Sequence, residues 1–135
     1  MFWKIYAWIY VVIIGVGTLV LIPKIGSWDF ASWEGTIEGL LLAIGAFVFA
    51  YKKQLFNKVA WKVIFIAILF FWVAGIISYT TNVQFLNFLK VNTDVLGEHG
   101  IGTVLFTIIV SIPALIAIYK MGFEKNPLPI SNSNK

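Results

Sequence analysis

Two glutamates, Glu34 and Glu38, stand one helical turn apart in the stretch SWDFASWEGTIEGLLLAIGAF, where tryptophans and acids give way to an almost wholly apolar run. A carboxyl pair in such a place can take up and release a proton or hold a small cation. An ionisable group that cannot reach bulk water is a functional suspect by default. A second constellation lies far along the chain. His99, Thr103, Thr107 and Ser111 recur at every fourth position and draw a polar line along a helix. Such a line can wall a hydrophilic path, and Pro113 just beyond it leaves a carbonyl of the preceding turn without its N–H. Both features also have plainer readings. If the helix begins late, Glu38 is a first-turn acid complementing the helix dipole. Threonine and serine in apolar helices commonly bond the carbonyl four residues back.

Other chemistry is excluded or unsupported. Asp94, Glu98 and His99 would join Glu34 and Glu38 on one side of the chain's elements, but their spacing fits no compact ligand motif, and no metal site is assigned. No triad, phosphate loop or nucleotide fingerprint is present, so no catalytic residue is assigned either. The chain has no cysteine, which removes disulfides, thiolate zinc sites and iron–sulfur clusters. A single histidine cannot supply both axial ligands of a haem. No cofactor is expected.

The elements that hold these residues follow from composition. Of 135 residues, 60% are hydrophobic and 12% charged, and mean hydropathy is +0.91. Soluble domains carry about 25% charged residues, so lipid takes the place of water around this chain. Four apolar runs can be marked: Ile5 to Ile22, Trp33 to Tyr51, Val63 to Thr80 and Ile101 to Tyr119. Each is close to the roughly 20 residues that a helix needs to cross a bilayer. Strands are excluded, because four of them cannot close a barrel and would leave backbone groups unpaired in lipid. The first run ends in LIPKIGSW without a small-x-small cleavage site and reads as a retained helix.

All ten basic residues are lysine. If the runs cross alternately, Lys4, Lys52, Lys53, Lys58, Lys62, Lys120, Lys125 and Lys135 share one side, and only Lys24 and Lys90 lie on the other. That bias predicts both termini and the 52–62 loop in the cytoplasm. The lysines flank apolar runs instead of forming a stripe, so no nucleic-acid partner is expected. Trp3, Trp33, Tyr51, Trp61, Tyr79 and Tyr119 sit at run ends, at the headgroup level that amphipathic rings prefer. Between the third and fourth runs, Phe85, Phe88 and Leu89 would face away from Gln84, Asn87 and Lys90, as in a short interfacial helix on the outer leaflet.

In the second run Gly35, Gly39, Ala43, Ala46 and Ala50 fall within about 80° of one another on a helix. Small residues along one stripe let a second helix approach closely. The pattern does not say whether that helix belongs to this chain or to another.

The expected fold is all-α: an integral membrane four-helix bundle over residues 1–123, in a bacterial-type inner (plasma) membrane, with a disordered cytoplasmic tail at 124–135. The expected role is non-enzymatic. The chain would bind other membrane components besides lipid, a membrane-protein partner or further copies of itself, as an accessory or assembly subunit or an immunity-type protein. The alternative is a small oligomeric transporter or channel using Glu38 and the threonine–serine line.

Overall fold

The structure, a computed structural model of the chain, describes residues 1–28, 30–81 and 101–124. Every regular element among them is helical: α1 (Phe2–Leu21), a short 3-10 helix (Ile22–Ser27), α2 (Phe30–Ala50), α3 (Lys58–Thr81) and α4 (Ile101–Phe123). Stretches such as IYVVII in α1 are rich in β-branched residues, which favour strands in water. In hydrocarbon each N–H must find a carbonyl within its own segment, and the helix prevails. All four α-helices are long and apolar enough to cross a membrane. The shortest, α1 with 20 residues, spans about 30 Å.

The helices outrun the apolar runs at their ends. α2 begins at Phe30, three residues before the second apolar run, and a 3-10 helix, Ile22–Ser27, follows α1 directly. α3 begins at Lys58, where Asn57 caps it by accepting the Ala60 N–H on its side-chain oxygen at 2.8 Å. α4 continues past Tyr119 to Phe123. Apolarity alone does not mark where a helix begins or ends; a cap such as Asn57 does. The expected interfacial helix between the third and fourth runs lies outside the described residues, as do residues 125–135 of the expected tail.

α1 packs on α2, α2 on α4, and α4 on α3. The ring of Trp3 lies 4.8 Å from that of Phe49, and the ring of Phe65 lies 5.4 Å from that of Tyr119. The start of α1 therefore meets the end of α2, and the start of α3 meets the end of α4. Lys4, Lys52, Lys53, Lys58, Lys62 and Lys120 consequently share one end of the molecule, and Lys24 lies at the other. α2 and α4 bury the largest share of their surface and form the central pair. Leu42, Trp61 and Ile118 are the largest side chains fully enclosed. Trp61, in the first turn of α3, is thus part of the core. It turns inward because Gly45 leaves room for it and for Ile118: a methyl built on Gly45 would lie 3.6 Å from the indole and 2.5 Å from Cγ1 of Ile118.

Candidate functional site: a polar layer between the helices

Each of the four helices contributes one polar side chain to a layer near the middle of the molecule. Glu38 of α2 accepts a hydrogen bond from the indole N–H of Trp72 on α3. Tyr10 of α1 and Ser111 of α4 share a hydrogen bond of 2.8 Å, and both residues are buried. Glu38 lies 12 residues before the end of α2, about 18 Å from the lysine-rich end, and Ser111 lies equally far from Phe123. Trp72 is about 21 Å from Lys58 by the same measure.

The layer has two extensions. Towards the Lys24 end, Glu34 is part-buried one helical turn before Glu38. Towards the lysine-rich end, Tyr6 stacks on Tyr10 with ring centroids 5.5 Å apart. Its hydroxyl donates to the Val110 carbonyl at 3.0 Å. Val110 lies three residues before Pro113, in the turn where proline weakens the α-helical ladder. The carbonyl that Pro113 leaves without an N–H is that of Ile109; Tyr6 bonds the next one along. Every buried side-chain polar atom among the described residues has a partner.

Glu38 is not a first-turn acid. α2 begins at Phe30, which puts Glu38 in the third turn, and the first turn holds no acid. The threonine–serine line does not converge. Ser111 is buried and bonded across to α1, while Thr107 is exposed. A spacing of four advances about 40° beyond a full turn, so a line of fourth positions winds off the buried face. Thr36 and Thr80 do bond the carbonyls four residues back, at 2.8 Å each, whereas Ser111 reaches another helix. His99 lies outside the described residues, and Thr103 is placed only as a backbone position in α4.

The small-residue stripe packs within the chain over most of its length. Ala43, Ala46 and Ala50 are buried, and a methyl on Gly39 would meet Ile14 of α1 at 3.1 Å. Gly35 departs from the expectation: nothing lies within 4 Å of where its Cβ would be. A small residue marks a close approach only where a second helix stands opposite it. At Gly35 no described atom of a second helix does.

Tyr10, Tyr6 and Trp72 were not singled out by the reading of the sequence. A usable signal was present. Other rings with polar tips sit at run ends, whereas Tyr10 and Trp72 fall well inside apolar runs, where an O–H or N–H needs a protein partner. No family model matches the chain, and neither curated proteins nor solved structures give a match.

Proposed function

We propose that the chain is a multi-pass membrane protein of a bacterial-type plasma membrane, folded as a four-helix bundle with both termini and the 51–57 connection in the cytoplasm. It acts by binding, not by catalysis. The geometry best supports a small transporter or channel that takes up a proton or a small monovalent cation on the Glu34–Glu38 pair from the Lys24 side. One observation carries this reading: Glu38 stands in the third turn of α2, one turn from Glu34, and accepts the indole N–H of Trp72. Structural packing alone needs no carboxyl there, since a glutamine would accept the same indole bond. Ionisable residues within the membrane are costly, and they commonly mark ion pathways and proton relays.

The test is flux into vesicles. Purified chain in phosphatidylcholine vesicles containing a pH-sensitive dye is exposed to a pH step, with and without sodium. Wild type is expected to dissipate the gradient, and Glu38→Gln to abolish flux while keeping the helical content and monodispersity of wild type. Equal flux from the two proteins would overturn the reading.

The accessory or immunity-type role is the second reading, and the outward surface of α1 favours it. Trp8, Ile9, Val12, Ile13 and Val16 are all exposed, and no described side chain covers Gly15 or Gly17. A membrane protein retained at fixed stoichiometry in mild detergent, and lost on Val16→Trp, would support this role.

A further inference from the structure

At the lysine-rich end, α2 stops in a way that a glycine would make easier. The N–H of Lys52 donates to the Phe49 carbonyl at 3.2 Å and the N–H of Lys53 to the Val48 carbonyl at 2.9 Å. This is the paired closure that puts the residue after the cap in the left-handed region. That residue is Lys52, with φ of 54°. Glycine takes this conformation without steric cost, and other residues do not. The chain keeps a lysine there, which points to a use for its charge beyond the backbone turn.

Two more lysines gather at the same corner. Lys53 follows directly. The ammonium of Lys4, at the start of α1, lies 5.3 Å from the centre of the Tyr51 ring. That ring is fixed on its other sides: Trp8 donates its indole N–H to the Tyr51 hydroxyl at 2.8 Å, and Phe47 stacks on it at 4.5 Å. One ammonium group thus stands over an anchored aromatic ring, and the next two residues after that ring's own are lysines.

The charge at this corner has no counterpart among the described residues. The acid at this end is Glu124, on the α3–α4 side. There Lys120 approaches its carboxylate at 3.9 Å, and Lys58 donates to its carbonyl at 3.2 Å. Lys62 sits over the Phe123 ring at 5.3 Å on that same side. Residues after Glu124 include no acid. Of the two basic corners, the one at Lys4, Lys52 and Lys53 has no acid among the described residues, whereas Glu124 offsets one of the three lysines at the other.

We propose that this corner of α1 and α2 binds the phosphate headgroup of an anionic phospholipid, with Lys4, Lys52 and Lys53 as its cationic contacts around Tyr51. The position selects a lipid: the ring of Tyr51 and the indole of Trp8 offer an apolar wall beside which an acyl chain can run, directly below the ammonium groups. A basic residue at an anionic membrane surface is worth roughly fivefold in affinity, and three together roughly a hundredfold.

The experiment is native mass spectrometry of the detergent-solubilised chain titrated with dioleoyl-phosphatidylglycerol or dioleoyl-phosphatidylcholine. Wild type is expected to prefer the anionic lipid roughly a hundredfold. Lys52→Gly removes one charge and relieves the backbone, so it is expected to lose about fivefold of that preference while melting no lower than wild type. Lys4→Gln with Lys53→Gln is expected to lose roughly twenty-five-fold. Lys58→Gln, at the other corner, keeps the preference. Three results would overturn the proposal: undiminished preference in Lys52→Gly, an equal loss in Lys58→Gln, or displacement of the lipid by millimolar inorganic phosphate. The last would make the corner a site for free phosphate.

Discussion

Gly45 and Gly35 lie on the same helix, and alanine at the two positions is expected to act with opposite sign. A methyl on Gly45 would stand 2.5 Å from Cγ1 of Ile118 and 3.0 Å from its Cδ1. Comfortable carbon contacts begin near about 3.5 Å, so roughly 1 Å must be found. Ile118 is fully enclosed, and Trp61 behind it is 2% exposed, so neither can swing into free space. The central α2–α4 seam has to open. Overpacking of this kind costs about 1–3 kcal/mol, and a clash on an inner carbon of an enclosed side chain belongs to the upper half of that range. At Gly35 no described atom lies within 4 Å, so alanine there gains helix propensity worth about 0.5–1 kcal/mol. The assay is unfolding in mixed micelles by SDS titration, followed by tryptophan fluorescence. Ile118→Ala alone is expected to cost about 2–5 kcal/mol. The Gly45→Ala/Ile118→Ala pair is expected to cost at least about 1 kcal/mol less than the sum of the single changes, because the new methyl enters the vacated space. Strict additivity, or a Gly45→Ala protein as stable as Gly35→Ala, would refute this account of the seam.

Three further predictions follow from the polar layer and the lysine distribution. Ser111→Ala should destabilise more than Tyr10→Phe, by about 1 kcal/mol, because a lone Ser111 can turn back to the Thr107 carbonyl while a lone buried phenol loses its partner; equal losses in the same SDS titration would argue against the pairing. Trp72→Phe should cost about 1–3 kcal/mol by taking the indole donor from Glu38, and adding Glu38→Leu should recover part of that loss, which a double-mutant cycle measures. Reporters fused after Asn57 and after Lys135 should read cytoplasmic and one at Asn92 external; a cytoplasmic reading at Asn92 means that the chain does not cross four times.

The helices were legible in the sequence because lipid makes a simple demand: about 20 apolar residues, with lysines and aromatic rings at the ends. Ends were less legible. Apolarity does not record the Asn57 cap or the start of α2 at Phe30, and the latter decides that Glu38 lies in the third turn. The polar layer was half legible. Glu38 stood out as a charge in an apolar run, and Ser111 as a member of a spaced line. Their partners Trp72 and Tyr10 are aromatic and passed for apolar filling. Nor could spacing alone separate Gly35, which faces open space, from Gly39, which meets Ile14. That difference depends on which helix lies opposite, and side-chain pattern within one helix does not encode its neighbour.

The bonds from α1 to α4 join residues 101 and 104 positions apart. A ribosome adds about 5–20 residues per second, so α1 waits about 5–20 s for the helix that satisfies Tyr6 and Tyr10. During that interval it has only α2, and then α3, for company. Two phenols in its second and third turns must meanwhile find other partners, which favours a shifted seating of α1 until α4 arrives. The fourth helix is thus a latch on the first, and synthesis halted after Thr81 should leave a chain whose first helix is inserted but not yet fastened.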